Sequence, residues 1–292
     1  TDHSDVAVTA VAGEGSAANI DMLDMGFAQL GFVQSDVAYY AYNGINFEQY
    51  EGNPINSFTA LAALYNETVQ LFTMDPDIKT VSDLKGKDVS IGASGSGVYF
   101  NALDVLEGAG LGINDINPQY QSFEDSKEAL KDGRIDAAFI VAGAPTSAIT
   151  ELATTNGVYL VNINGEVRDR IMEECSYYEP LTIPAGTYPG QDEDVETITV
   201  KAVLIVSADA DEDTVYKLTA ALFDHADEIT QENAKGSELS VENATSVQTL
   251  PFHKGAARYY AEHGITVNTD ESSAKTEPEN TFSEASDSSE NN

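Results

Sequence analysis

Short apolar runs alternate with helical patterns along most of the chain, and this alternation predicts α/β units with mainly parallel sheets. The apolar runs predict strands at residues 6–10, 27–33, 88–92, 135–141, 158–163 and 197–206. The amphipathic patterns predict helices at residues 16–25, 98–109, 145–153 and 211–233, and one more that ends near residue 133. Ser122 and Asp125 form the capping signal of that last helix, and Pro145 is expected at the first position of its own helix.

The two series of α/β units predict two lobes. Residues 69–74 and 197–206 are expected to cross between the lobes as strands, one out and one back. Lobe 1 then comprises residues 1–72 with 200–268, and lobe 2 comprises residues 73–199. The stretch 177–194 is expected to be irregular, because it contains Pro180, Pro184 and Pro189 among turn-prone residues. Residues 269–292 are rich in Ser, Glu, Asp and Asn, which predicts a disordered acidic tail.

The composition indicates a folded and strongly acidic protein. Its 292 residues are 42% hydrophobic, and 49 acidic residues stand against 14 basic ones, for a formal charge of −35. A nucleic-acid partner is excluded, because it would need a basic surface to replace counterions. We interpret the acidity as adaptation of a soluble surface to high salt, which screens the repulsion. Cys175 is the only cysteine, so no internal disulfide or cysteine metal cluster can form.

Neither a membrane helix nor an export signal is visible in the sequence. No apolar stretch approaches the roughly 20 residues that a membrane helix needs. Residues 1–5 lack the basic end and the apolar block of a signal peptide. The chain is therefore cytosolic, or it begins after its export signal.

Three strand-to-helix junctions carry small polar residues, and they are the candidate binding site. In the first, residues 91–97, the glycines would let the backbone approach a ligand closely. Free N–H groups around Gly95 and Gly97, with the dipole of the following helix, favour an anion. Ser94 and Ser96 could donate hydrogen bonds to the same carboxylate. A tight turn without a ligand is an equally supported interpretation of this loop alone.

The other two junctions follow the strands at 27–33 and 135–141. Gln34 could bond a carboxylate or an amide, and Asp36 could accept a bond from an ammonium group or cap the next helix. Gly143 and Ala144 lie at another helix start, where a plain turn is again the alternative. None of the 14 basic residues lies in the three loops, so an anion would depend on helix ends, hydroxyls and amides. Arg258 is expected to serve structure in the last helix.

Motifs of catalysis are missing from the sequence. A P-loop needs Gly-Lys-Ser/Thr, but Val98 follows Gly97, and Phe100 stands where a dinucleotide fingerprint needs glycine or alanine. The Gly-x-Ser-x-Gly elbow is not matched. The four histidines show neither HExxH spacing nor a close ligand pattern, and His225 is interpreted as part of a solvated helix face. We therefore expect that the protein is not an enzyme and that it has neither a cofactor nor a metal site.

The assembled segments resemble the TAXI family of solute receptors that serve TRAP transporters. The resemblance covers nearly all of residues 6–264. It rests on the segments Gly-Ser-Ala-Ala-Asn at 15–19, Gln-Ser-Asp at 34–36, Leu-Tyr-Asn-Glu at 64–67, Asp-Leu-Lys-Gly-Lys at 83–87, the glycine-rich loop at 92–97, Asp-Gly-Arg-Ile-Asp-Ala at 132–137, Gly-Ala-Pro at 143–145, Ile-Pro-Ala-Gly-Thr-Tyr at 183–188 and His-Lys-Gly-Ala-Ala-Arg-Tyr-Tyr at 253–260.

The resemblance implies a fold like that of type II periplasmic binding proteins, with two α/β lobes, a hinge and an interlobe cleft that closes over its ligand. It implies an extracytoplasmic receptor that delivers glutamate, glutamine or a C4–C5 dicarboxylate to TRAP-type permease subunits, and we expect a monomer. The expected ligand contacts are Gln34, Asp36, Ser94, Gly95, Ser96, Gly97, Gly143, Ala144 and Tyr188. The alternatives are a ligand sensor, or a lyase or transferase, that reuses the same fold.

The sequence departs from the family pattern at both ends. Family members usually begin with a strand and a Gly/Thr-rich loop, which do not precede Thr1 here. We therefore expect an N-terminally incomplete sequence, which would also account for the missing export signal and any lipid anchor. The acidic tail is not part of the family pattern either.

Overall fold

The computed structural model of the chain is a mixed α/β fold and describes residues 3–13, 15–46, 49–93, 96–247 and 249–270. The strands are β1 (Leu30–Gln34), β2 (Phe58–Thr73), β3 (Asp88–Ser90), β4 (Asn117–Gln119), β5 (Ala137–Ala142), β6 (Tyr159–Val161), β7 (Glu179–Ile183) and β8 (Val195–Ser207). The α-helices are α1 (Ser16–Asp24), α2 (Ser35–Asn43), α3 (Gly97–Gly108), α4 (Phe123–Lys131), α5 (Ser147–Asn156), α6 (Gly165–Glu174), α7 (Glu212–Asp224), α8 (Ala226–Glu232), α9 (Val241–Ala244) and α10 (Lys254–Glu262). Short 3-10 helices lie at Val81–Leu84, Ile113–Asp115 and Ala234–Glu238.

The described residues divide into two compact units. The first unit runs up to Asn66 and resumes at Lys201, and the second runs from Glu67 to Val200. The chain leaves the first unit within β2 and returns to it within β8, because the two points of division lie inside these strands.

In the first unit, β1 runs antiparallel to the second half of β8, with Gln34 opposite Ala202. Helix α1 packs against β1 and α2, and α7 packs against α10. Helix α2 follows β1 directly and ends at Gly44, whose φ of 68° is the left-handed conformation that terminates many helices. All residues from 35 to 42 are buried, so α2 lies inside the core of this unit.

In the second unit, three neighbouring strands are parallel, since β3 pairs with both β4 and β5 in the same direction. Helix α3 connects β3 to β4, and α4 connects β4 to β5. Strand β2 runs antiparallel to β5 and β6, and β7 runs antiparallel to the first half of β8. The carboxyl ends of β3, β4 and β5 therefore lie at one edge of the sheet, where α3, α4 and α5 begin.

Apolar side chains cover both faces of this sheet. Alternating residues of β5 belong to two different buried clusters, with Phe139 in one and Ile140 in the other, as strand geometry requires. Helix α3 contributes Val98, Ala102 and Val105 to the first cluster, which also contains Cys175 at 1% exposure. None of the described helices has the length and apolar character needed to cross a bilayer.

The structure confirms a mixed α/β fold and several predicted elements. Helix α3 lies within one residue of its predicted bounds. The cap of α4 is as predicted, since the Ser122 hydroxyl accepts a hydrogen bond from the Asp125 N–H at 3.2 Å. The expectation of mainly parallel pairing is wrong. Only the strands connected through α3 and α4 are parallel, whereas β2 and β8 run against the strands they pair with in the described registers.

Four local predictions are also corrected. Residues 6–10 are not a strand but irregular chain, mostly exposed and outside the described sheet. The stretch 177–194 contains β7, and Pro180 is tolerated there because this strand pairs on one side, with β8. The helix predicted at 211–233 is broken at His225, whose φ of −120° is not helical. Pro145 precedes α5 rather than opening it. The predicted tail beyond Asp270 lies outside the described residues.

Candidate functional site

Helix N-termini converge along the edge of the sheet in the second unit. Helices α3 and α5 follow the adjacent parallel strands β3 and β5, which pair through Ser90 and Ala138. The first N–H groups of a helix have no partner within the helix, and the dipole places partial positive charge there. Two such ends at one sheet edge provide a preformed environment for a small anion.

The loop before α3 is folded tightly onto its own helix. Gly92 has a φ of +85°, and a Cβ atom at this position would lie 2.6 Å from the Val98 Cβ. The Gly92 carbonyl accepts a hydrogen bond from the Gln121 N–H at 3.1 Å, and the Ala93 carbonyl accepts one from the Ser96 N–H at 3.0 Å. Glycine is thus required at 92 by both conformation and space. The predicted contacts Ser94 and Gly95 lie outside the described residues.

Two polar side-chain atoms beside this loop lack hydrogen-bond partners in the described part of the chain. One is the hydroxyl oxygen of Ser96, and the other is Oε1 of Gln121; both atoms are inaccessible to solvent. Ser96 occupies the N-cap position of α3, but its side chain makes no capping bond. A buried polar atom without a partner costs about 1–3 kcal/mol, so a ligand group would be favourable beside these two atoms. The Ser96 hydroxyl can donate to an anion, whereas Oε1 of Gln121 can only accept from a donor group.

The loop before α5, in contrast, is bonded to the rest of the second unit through Thr146. The Thr146 N–H donates to the Tyr188 hydroxyl at 2.8 Å, and that hydroxyl donates to Oε1 of Gln70. The Gln70 amide donates to the Thr146 hydroxyl at 2.9 Å and to the Ala142 carbonyl at 3.2 Å. The Thr146 hydroxyl donates in turn to the Gly143 carbonyl at 3.1 Å. The Gly143 carbonyl is therefore tied into a network of polar groups that includes the buried side chains of Gln70 and Tyr188.

Tyr188, which the resemblance places among the ligand contacts, has a positioning role in this network. Its side chain is 3% exposed, and burial raises the pKa of its hydroxyl. The hydroxyl proton is already donated to Gln70, so only acceptor capacity remains for another group. In the structure Tyr188 bonds the loop that carries Gly143, and its role as a ligand contact stays a prediction from the sequence.

Two further predicted residues lie in the first unit. Gln34 ends β1 and stands at the N-cap position of α2, and its N–H donates to the Ser16 hydroxyl at 3.0 Å. Asp36 is completely buried in the first turn of α2. The alternative of Asp36 as the cap is therefore corrected, because the cap position belongs to Gln34.

Gln121 and Gln70 are the residues that the sequence did not reveal. Gln121 follows β4, whose sequence Asn-Pro-Gln has no apolar alternation to mark it as a strand. Gln70 lies within an apolar strand and meets Tyr188 across 118 positions of sequence. The only local signal was that Gln121, like Gly92, comes just after a strand that enters the same edge.

Arg258 has the structural role that was predicted for it. Its guanidinium lies 2.8 Å from the Asp213 carboxylate and 3.2 Å from that of Glu212. It also stacks over the Tyr216 ring, 4.1 Å from the ring centroid. These contacts connect α10 to α7 and engage the guanidinium within the first unit.

The opposite end of α3 carries a perturbed carboxyl group. Glu107 lies in the last turn of the helix and is half-buried. Desolvation by burial raises the pKa of this carboxyl to about 7. Since it stands at the other end of a 12-residue helix from the Gly92 loop, we assign it no part in ligand binding.

These features define a mixed α/β protein of two compact units, with helix N-termini grouped at one sheet edge of the second. The chain belongs to the NMT1-like family, whose profile matches residues 1–264. Similar solved structures include the alkanesulfonate-binding protein SsuA from Xanthomonas axonopodis pv. citri, bound to MOPS. It is 20% identical, with 85% of this chain and 70% of that chain covered and a TM-score of 0.47.

Two other solved structures are similar to a comparable degree. The periplasmic aliphatic sulphonate binding protein SsuA from Escherichia coli is 18% identical, with 84% of this chain and 68% of that chain covered and a TM-score of 0.46. An ancestral arginine-binding protein bound to arginine is 16% identical, with 75% and 72% covered and a TM-score of 0.41. Membership in the TAXI family stays a prediction from the motifs.

Proposed function

We propose that this chain is an extracytoplasmic solute receptor that binds a small carboxylate and delivers it to a membrane permease. The observation that carries the proposal is the pair of helix N-termini at one sheet edge. Beside them lies the buried hydroxyl of Ser96, which has no partner among the described residues. The proposed role is transport rather than catalysis.

The chemistry of the edge favours a carboxylate over a cation. Partial positive charge from α3 and α5 attracts an anion, and the Ser96 hydroxyl can turn its proton towards it. No lysine or arginine stands in the loops at 91–97 and 142–146, so the anion would be held by N–H and O–H groups. Gln34, Asp36, Ser94 and Gly95 stay predicted contacts from the sequence.

The finer assignment, to a TAXI receptor of a TRAP transporter, is supported by the motifs that recur in order from residue 15 to residue 260. Glutamate, glutamine and C4–C5 dicarboxylates are the ligands this assignment proposes. The identity of the genes next to the coding sequence tests which type of transporter the receptor serves. TRAP permease genes there would support the assignment, and genes for another type of importer would replace it.

The ligand class is tested by thermal unfolding and calorimetry on the full chain. We expect glutamate, glutamine, 2-oxoglutarate, succinate or fumarate to raise Tm in a saturable way, because a ligand that binds only the folded state stabilises it. An alkanesulfonate and arginine serve as comparison ligands. A shift with arginine alone would overturn the proposed anion site, and no shift with any compound would count against the receptor.

Ser96→Ala tests the placement of the site. The ligand should bind about 10-fold to 100-fold more weakly, since a hydrogen bond to a charged group contributes about 1.5–3 kcal/mol. In the absence of ligand, Tm should not fall, because the removed hydroxyl has no partner in the described structure. Ser82→Ala, at an exposed serine of the same unit, is the matched control. Equal affinity in both variants would place the site elsewhere.

A further inference from the structure

Two histidines and a glutamate meet on the surface of the first unit. Nε2 of His3 lies 3.0 Å from Oε2 of Glu228, and Nδ1 of His225 lies 3.0 Å from Oε1 of the same carboxylate. The two imidazole rings are stacked, with centroids 3.6 Å apart and an angle of 19° between their planes. One potential ligand atom from each of the three residues lies within 4.8 Å of the other two.

The fold brings these residues together from distant segments. His225 stands where α7 ends and α8 begins, and Glu228 follows three residues later in the first turn of α8. His3 belongs to a segment that an ion pair of 2.9 Å between Asp5 and Lys217 holds against α7. A depression of about 320 Å³ opens beside both histidines, and Tyr216 forms part of its lining.

We propose that His3, His225 and Glu228 form a binding site for a divalent transition-metal ion, with Zn²⁺ as the best match. Two imidazole nitrogens and one carboxylate oxygen are a ligand set that zinc adopts, with a fourth position for water. Ligand atoms about 2.0–2.1 Å from one tetrahedral ion are about 3.3 Å from each other. The two separations of 3.0 Å are close to that value, but each uses a different oxygen of Glu228. The ion would therefore be bound after the stacked imidazole rings turn so that both nitrogens face it.

The nitrogen ligands distinguish this site from the rest of an acidic surface. With a formal charge of −35, the chain attracts cations in general, and carboxylates alone suit Mg²⁺ and Ca²⁺. Imidazole favours zinc, nickel and copper. The side chains of His3 and His225 are 40% and 34% exposed, so an ion can reach them from solvent.

Metal binding would connect the segment around His3 to the junction of α7 and α8. An ion bound only in the folded state stabilises that state by mass action. The metal site lies in the first unit, whereas the sheet edge proposed to bind a carboxylate lies in the second. Each proposal can therefore fail without the other.

The test is calorimetric titration of the full chain with Zn²⁺ at neutral pH, in a large excess of Mg²⁺ to occupy carboxylate-only sites. We expect one Zn²⁺ per chain. His3→Ala and His225→Ala should each weaken Zn²⁺ binding at least about 10-fold, the lower end of the cost of perturbing a metal site. His263→Ala removes an exposed histidine outside the cluster and should bind Zn²⁺ as the unmodified chain does.

A second measurement identifies the ligands directly. The chain has four histidines, so their ring signals in NMR spectra can be assigned with the single variants. Paramagnetic Ni²⁺ should broaden the signals of His3 and His225 first and leave those of His253 and His263 sharp. Zn²⁺ binding that is absent, unchanged in both variants, or lost in only one of them overturns the shared site.

Discussion

Two loops at one edge of the same sheet lead into helices, and they differ in how their polar groups are satisfied. The loop before α5 is closed by a network that uses the Tyr188 hydroxyl, both ends of the Gln70 amide and the Thr146 hydroxyl. The loop before α3 leaves the Ser96 hydroxyl and Oε1 of Gln121 without partners in the described chain.

The difference separates a loop whose polar side chains bond within the protein from a loop that has buried polar atoms without described partners. A polar network whose members are all satisfied fixes a loop in one geometry. Polar atoms that are buried and unpaired cost free energy, which a bound ligand can recover. One loop therefore sets the position of the α5 N-terminus, and under the proposed function the other would offer groups to a ligand.

The largest effect is expected from Gly92→Ala in the α3 loop. The positive φ and the contact with Val98 together should cost about 3–5 kcal/mol in the free energy of unfolding, measured by urea denaturation. Gly112→Ala is the control, since Gly112 has an ordinary φ of −94° and its nearest neighbouring atom is 3.9 Å from the added Cβ. A loss no larger than that of the control would mean that the loop can open without cost.

A smaller loss is expected from Tyr188→Phe in the α5 loop. Removing the hydroxyl leaves the Thr146 N–H and Oε1 of Gln70 without their partner, which should cost about 2–3 kcal/mol. Tyr159→Phe, at a 50% exposed tyrosine of the same unit, should cost much less in the same urea measurement. An equal loss in the free energy of unfolding for the two variants would mean that the network does not hold the loop. The two loops would then not differ as described.

The smallest effect concerns the far end of the helix that the α3 loop begins. The folded pKa of Glu107, about 7, exceeds its usual value of 4.5, so the folded state binds more protons between these values. The stability contributed by this group is therefore present below about pH 4.5 and lost as pH rises through 7.

Glu107→Gln should consequently stabilise the protein by about 1–2 kcal/mol near pH 8, after allowance for partial exposure, and by little near pH 4. Urea denaturation at both pH values measures this. Glu173→Gln, at an exposed glutamate of α6, is the matched control for the same change of side chain. A gain of equal size at both pH values would point to helix propensity instead of desolvation.

Local patterns predicted the parts of the fold in which one segment determines its own structure. The apolar spacing of Tyr99, Ala102, Leu103 and Leu106 predicted the bounds of α3, and Ser122 predicted the start of α4. The first half of β2 was missed, because the run Phe-Thr-Ala-Leu-Ala-Ala-Leu from residue 58 is apolar throughout and alanine favours helix. Pairing direction was mispredicted, since it depends on which distant strand becomes the neighbour.

The glycines and serines of the candidate loops were enough to locate them in the sequence. They did not predict which loop bonds its polar groups within the protein. Whether a hydroxyl is free to bind a ligand depends on residues far along the chain, as Tyr188 depends on Gln70. The cluster of His3 with Glu228 spans 225 positions and carries no sequence motif. Composition identifies the turns, but whether each polar group of a turn has a hydrogen-bond partner depends on the assembled structure.

The single thiol of the chain allows the opening free energy of the second unit to be measured separately from that of the whole chain. Cys175 is buried in the core of the second unit, and a disulfide reagent can react with it only when that core opens. The rate of labelling under native conditions therefore reports the opening free energy of the second unit by itself. Compared with global denaturation, it reveals whether a variant in either unit loosens the whole chain or only its own half.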